Sequence, residues 1–172
     1  KLVNDNWIFS ETGKGTGVYI STKRKEDSEI NGNTASKYDS DLMMAKILSK
    51  ETNENVYLIS ERHINSKNPD CIFRGNYLEE KHVHGGRRAI GTNALDALLQ
   101  ANNIFLFLDH SFSIESCKSK IYGEYSARKK RCLSSGKSFI EPDLNSDILI
   151  YTDGKMYDIK CNNLFTFIEN KR

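Results

Sequence analysis

An α/β fold built on a mixed sheet follows from three observations on this 172-residue sequence. Apolar residues recur near helical spacing at 42–48, three short strand-like runs come next, and a second helical stretch then leads into "IFLFLD" (104–109), a continuous apolar run of the kind that fills a buried strand. The order helix, strand, strand, strand, helix, strand packs naturally as a mixed sheet with helices against it. No repeat of solenoid length interrupts it.

Residues 1–37 read as a polar N-terminal extension with one strand, "GVYIS" (17–21), and a loop, "INGNTAS". Its "TGKGTG" lacks the G-x-x-x-x-G-K-[ST] spacing of a phosphate loop. The core is assigned to 38–109. Leu42, Met43, Ala45, Ile47 and Leu48 form the first helix, capped by Ser40 or Asp39. "VYLIS" (56–60) is a strand, and "DCIFRGNYLEEKHV" is two strands joined at Gly75-Asn76. "GGRRAIGTN" reads as a flexible basic loop, with Thr92 or Asn93 capping the helix "NALDALLQANN". The remainder, 110–172, holds a basic segment, a hairpin turning at Asp153-Gly154, and "NLFTFI" as a final strand.

Composition sets limits. The hydrophobic fraction is 38% and the charged fraction 28%, yet eight Tyr, eight Phe and one Trp supply enough large side chains for a single domain's core. A net charge of +2 announces no nucleic-acid partner, so any such argument has to be local. Cys71, Cys117, Cys132 and Cys161 form no C-x-x-C pair; they read as free thiols and point to a reduced compartment at the place of action. No apolar run approaches a membrane span and no signal-peptide pattern is present. A start at Lys1 rather than Met points to a fragment of a longer polypeptide.

The hairpin at 68–81, "NPDCIFRGNYLEEK", carries more charge than a structural hairpin needs. With Gly75-Asn76 as its turn, Ile72 faces Glu79 and Asp70 faces Lys81, so Asp70, Glu79 and Lys81 share one side. Asp70 and Glu79 then lie on a diagonal of roughly 7–8 Å, within reach of one divalent ion. Hard oxygen donors suit Mg²⁺ or Mn²⁺, Lys81 can orient a metal-bound water, and Asp41 on the first helix supplies a further carboxylate, with Asp39 in reserve. This is the equipment of phosphodiester hydrolysis.

Asp70 after Pro69, followed by Glu79-Glu80-Lys81, resembles the PD-(D/E)xK nuclease signature, and the element order across 38–109 resembles that superfamily's αβββαβ restriction-endonuclease-like core. With "NALDALLQANNIFLFLD" behind it, the stretch looks most like the C-terminal toxin nucleases of bacterial contact-dependent growth inhibition and related polymorphic toxins. The resemblance implies metal ligation by Asp70 and Glu79, catalysis by Lys81, and a place for Gln100 near the site. Such toxins usually carry Glu on the first helix where this chain has Asp41. The resemblance further implies RNA, transfer RNA in particular, as substrate in preference to DNA. A cognate immunity protein would cover the site. The domain would arrive from a bacterium as part of a larger secreted protein and act in the target-cell cytoplasm. A DNA endonuclease of the same fold and a catalytically inactive nucleic-acid-binding module are the alternatives.

Other charged groups compete for attention. With Asp153-Gly154 as the turn, Asp147 faces Lys160 and Leu149 faces Asp158, so the last hairpin repeats the acid-acid-lysine pattern; no helix-strand pair follows to complete a core there. His82 and His84 share a strand face opposite Glu79 and Lys81, but no third zinc ligand is legible, which ranks Zn²⁺ below Mg²⁺. His63 and His110 have no nameable partner. Arg87 and Arg88, together with the run Arg128-Lys129-Lys130-Arg131 near Tyr122 and Tyr125, are the expected contacts to a phosphate backbone.

Overall fold

The computed structural model describes residues 6–30, 32–60 and 69–165. Its elements run β1 (Trp7–Gly13), β2 (Thr16–Ser21), α1 (Thr22–Ile30), α2 (Gly32–Thr52), β3 (Val56–Leu58), β4 (Cys71–Phe73), β5 (Asn76–Val83), α3 (Arg87–Leu98), β6 (Asn103–Leu108), α4 (Ile114–Ser134), β7 (Asp147–Thr152), β8 (Lys155–Lys160) and α5 (Cys161–Phe165). The class is mixed α/β, with five helices among the described residues and an eight-stranded mixed sheet whose strands lie in chain order. The chain folds as two compact units, 1–80 and 81–172, so the division falls inside β5 and within the 38–109 stretch grouped as one core above.

In the first unit, β1 and β2 form an antiparallel hairpin, β2 runs parallel to β3, and β3, β4 and β5 are antiparallel. The parallel step needs a long crossover, which α1 and α2 provide. Met44, Ala45 and Leu48 recur on one side of α2 and are buried, as are Val18, Ile20, Val56, Leu58, Cys71, Phe73 and Leu78, the alternate residues of four strands. Period 3.6 on the helix and period 2 on the strands thus meet in one core layer. The other face carries Tyr19 and Tyr57, stacked with ring centroids 4.8 Å apart.

Two expectations change here. Within the expected polar extension, 6–30 form regular elements: β1 precedes the anticipated strand, and "TKRKEDSEI" is helix α1, with Arg24 buried. The first core helix starts at Gly32, inside the expected loop, so Asp39 and Ser40 are interior residues and not caps. The earlier start follows from α1 packing on α2, where Arg24 reaches Asp41.

In the second unit, β6 runs parallel to β7 with α4 as the crossover, and β7 and β8 form an antiparallel hairpin. Ile90, Leu95, Ile104, Leu106, Ile121 and Ile148 belong to one buried cluster. The helices α3 and α4 approach so closely that a Cβ on Gly91 would stand 2.5 Å from the Lys120 carbonyl oxygen, so only glycine fits. Helix α3 begins at Arg87, not at Thr92 or Asn93. Those two side chains bond back to the Arg88 and Ala89 carbonyls, the habit of interior residues. The expected last strand is instead α5, where Cys161, Leu164 and Phe165 are buried at helical spacing; 166–168 lie outside the described residues.

Candidate metal centre

The hairpin joining β4 to β5 turns at Arg74-Gly75, one residue earlier than expected. Phe73 pairs with Asn76, Ile72 with Tyr77 and Cys71 with Leu78. Both turn residues have positive φ, 50° at Arg74 and 75° at Gly75, which is the two-residue turn whose twist suits a hairpin. Moving a two-residue turn by one position moves the register by two, so residues keep their faces while partners change. Ile72 faces Tyr77 and not Glu79, and Asp70 is no longer set opposite Lys81.

Asp70 lies just before β4, and its side chain does the work of a strand. Its backbone carbonyl still accepts from the Ile59 N–H at 3.2 Å, while carboxylate oxygen Oδ2 accepts the Glu80 N–H at 2.9 Å. That bond draws the Asp70 carboxylate to Glu80. Alternation from Leu78 directs Glu80 to the side covered by α2, and Glu79 and Lys81 to the opposite side. Asp41, in the middle of α2 and on the buried stripe with Met44 and Ala45, completes the group.

Asp41, Asp70 and Glu80 are therefore three interacting carboxylates, exposed by only 3, 1 and 4%. Arg24 ion-pairs with Asp41, and Lys37 Nζ donates to Asp70 Oδ1 at 3.2 Å. Neither oxygen of Glu80 has a hydrogen-bond partner among the described residues. Burial, then repulsion from Asp70 and Asp41, pushes the Glu80 carboxyl well above its ordinary range. Burial and then Asp70 raise Asp41 to about 7, against the pull of Lys37 and Arg24. The buried Cys71 thiol is raised by its own burial and next by Glu80. Concentrated like charge out of water is costly unless protons or a cation neutralise it. An all-oxygen donor set suits a hard divalent ion in kind, but the donor atoms of Asp41, Asp70 and Glu80 do not all lie within 4.8 Å of one another, so these side chains must draw together to share one.

The remaining residues named from the sequence scatter. Glu79 is buried at 3% exposure, on the face away from Glu80. Asp39 is exposed on α2. Gln100 follows α3 in the second unit, its N–H bonded to the Ala97 carbonyl at 2.8 Å. Arg87 and Arg88 are exposed at the start of α3 and line an open cavity of about 550 Å³ with Thr92 and Asn93. The basic run is largely spent within the fold: Arg128 bonds Glu124 and Asp96, Lys129 pairs with Glu141, and Arg131 with Glu124, leaving Lys130 exposed. Four consecutive helical residues also point about 100° apart, so they cannot form one basic face. His63 lies outside the described residues.

Sequence reasoning missed Glu80, Lys37 and Arg24. Glu80 sat beside the motif residue and differed from it only in strand parity; either turn puts Asp70 on the face of Glu79, and the Asp70 carboxylate reaches Glu80 because Asp70 stands before β4 and accepts the Glu80 N–H. It also missed the partner of the His82-His84 pair: Asp109, one residue past β6, bonds both rings. The order of elements from α2 to β6 is the expected helix, three strands, helix, strand. Compared with known proteins, the chain matches no family model, no curated protein and no solved structure.

Proposed function

We propose that the chain is a metal-dependent nuclease of the PD-(D/E)xK type, with Mg²⁺ or Mn²⁺ held by Asp41, Asp70 and Glu80. The observation that carries this reading is Glu80: a carboxylate 4% exposed, both oxygens without a hydrogen-bond partner among the described residues, set against two more acids. The bound ion would acidify a water and screen phosphate charge. Asp70 is fixed from two sides by the Glu80 N–H and Lys37, so it needs little reorganisation to act as a ligand. Lys37 is the amine that reaches the acids. Its side chain is half exposed, so a substrate phosphate can approach it while it stays bonded to Asp70. Arg24, buried on Asp41, holds that acid in place. Glu79 and Lys81, the pair named by the signature, are assigned no ion here because alternation turns them to the other face.

The resemblance supports the rest: an RNA substrate, transfer RNA among the candidates; delivery as the toxic end of a secreted bacterial protein; action in the target-cell cytoplasm; and a cognate immunity protein. No described helix is long and apolar enough to cross a membrane. Arg87 and Arg88 are the basic residues best exposed for phosphate contact. Incubation with total RNA and with plasmid DNA, in Mg²⁺ and in chelator, tests the reading. Metal-dependent RNA cutting that Glu80→Gln and Asp70→Asn abolish, and Glu79→Gln does not, is expected. Cutting of DNA alone selects the DNA endonuclease. Binding without cutting selects the inactive module. Activity lost with Glu79→Gln and kept with Glu80→Gln returns the ion to the signature pair.

A further inference from the structure

A second group of metal-binding side chains has a different chemistry. His82 ends near Val83 at the close of β5, His84 follows the strand, and Asp109 follows β6. The Asp109 N–H donates to the Val83 carbonyl at 3.4 Å, which ties the two chain ends together by their backbones. Asp109 Oδ1 meets His82 Nε2, and Oδ2 meets His84 Nδ1 at 2.6 Å. The imidazoles lie 3.8 Å apart between centroids, and the edge-on ring of Phe107, 4.9 Å away, backs His82. All three donor atoms fall within 4.8 Å of one another.

We propose that His82, His84 and Asp109 form a three-ligand site for Zn²⁺ or a similar transition ion, with water in the open position. Tetrahedral zinc takes His nitrogen and carboxylate oxygen at about 2.0–2.2 Å, which sets donors roughly 3.3–3.6 Å apart. The existing cluster reaches that spacing by side-chain adjustment alone. Two imidazole nitrogens already aim at one carboxylate, so an ion entering between them takes the lone pair of each facing nitrogen while the carboxylate changes from hydrogen-bond acceptor to ligand. His84 is 70% exposed and the carboxylate about one-third, so the fourth position faces solvent. Imidazole donors favour Zn²⁺, Co²⁺, Ni²⁺ and Cu²⁺ over Mg²⁺ and Mn²⁺, which separates this group from the all-oxygen acids. Its consequence is mechanical as well as chemical: a bound ion cross-links the ends of β5 and β6.

The test is titration of the whole chain with Co²⁺ followed by visible absorbance, and with Zn²⁺ followed by calorimetry, in excess Mg²⁺. One equivalent per chain is expected, with a nitrogen-oxygen ligand-field spectrum. Binding should weaken at least tenfold in His84→Ala and in Asp109→Ala, and stay unchanged in Glu80→Gln. His84 is exposed, so its variant tests the site without threatening the fold. No Co²⁺ spectrum at millimolar ion, wild-type affinity in His84→Ala, loss in Glu80→Gln alone, or an intense thiolate-to-cobalt band from the free cysteines would each overturn the proposal.

Discussion

The two hairpins, 71–83 and 147–160, are nearly the same object in sequence and quite different in physics. Each turns on a residue and a glycine at positive φ, Arg74-Gly75 and Asp153-Gly154. Each has a Pro-Asp pair upstream, and the sequence reading sets two acids and a lysine on one side of each: Asp70, Glu79 and Lys81 for the first, Asp147, Asp158 and Lys160 for the second. In the second, Asp147 pairs with Lys160 and Asp158 is exposed, so its charges are settled locally or by water. In the first, Asp70, Glu79 and Glu80 are all buried, and α2 adds Asp41 to the load. A similar acid-acid-lysine pattern is decoration on the hairpin that keeps Asp158 and Lys160 exposed and a chemical asset on the one with a covering helix. Burial, which spacing does not encode, separates them.

The largest effect that could break this contrast comes from the cations facing the acids. Arg24→Met removes the guanidinium from buried Asp41 and is expected to destabilise the metal-free protein by about 3–5 kcal/mol above pH 7, where Asp41 is ionised and left uncompensated, and by less at lower pH, where Asp41 takes up a proton. Glu80→Gln acts in reverse: it removes ion binding and raises metal-free stability most at high pH, where the Glu80 carboxyl would otherwise ionise in its buried site. Chemical denaturation checks both, and a loss of stability in Glu80→Gln would mean the acid is already satisfied.

Protonation gives the next effect. Asp41 has an ordinary value of 3.8 and titrates at about 7 in the fold. Between these values the folded chain holds a proton that the unfolded chain has released. The resulting stability is whole below about pH 3.8 and disappears as pH rises through about 7, a change of at most about 4 kcal/mol. Metal-free protein should therefore lose stability from pH 4 to pH 7.5, and Mg²⁺ should restore it at the upper end. Denaturation at stepped pH measures it, with Asp41→Asn as a control expected to show a smaller fall that retains the contribution of Glu80; a flat wild-type profile would contradict the raised value.

How far the sequence led is best judged on these same residues. The order from α2 to β6 was legible because period-2 and helical spacing are local patterns. The second hairpin's register was read correctly, Asp147 to Lys160 and Leu149 to Asp158, because Asp-Gly announces its turn. The first hairpin was misread because Arg at positive φ gives no such signal, and only the glycine at its second position marks the turn. Asp41 and Asp70 were named, but Glu80 needed the knowledge that α2 covers its face. The Arg24 contact needed α1, whose polar sequence hid a helix. Asp109 is 25 residues from His84, and pairing across strands at that separation is tertiary information.

The turns themselves should behave alike, which sharpens the comparison. Gly75 and Gly154 have φ of 75° and 70°, and a Cβ at either would meet nothing within 4 Å. Only backbone strain remains, so Gly75→Ala and Gly154→Ala should each cost about 1–2 kcal/mol. Unequal costs in thermal unfolding would show that the two turns differ in more than their flanks.

The smallest effect belongs to the second hairpin's ion pair. Lys160 is more than half exposed, while its partner Asp147 is 14% exposed. Lys160→Ala should change stability by about 0.2–1 kcal/mol, and salt should shrink that difference. The same lysine-to-alanine change at Lys37 tests the opposite environment, because there the acid left behind, Asp70, is 1% exposed. Lys37→Ala should cost more than Lys160→Ala, resist screening by monovalent salt, and be relieved by Mg²⁺. Equal costs and equal salt responses at the two lysines would dissolve the distinction between the hairpins, and with it the reason for placing an ion at the first.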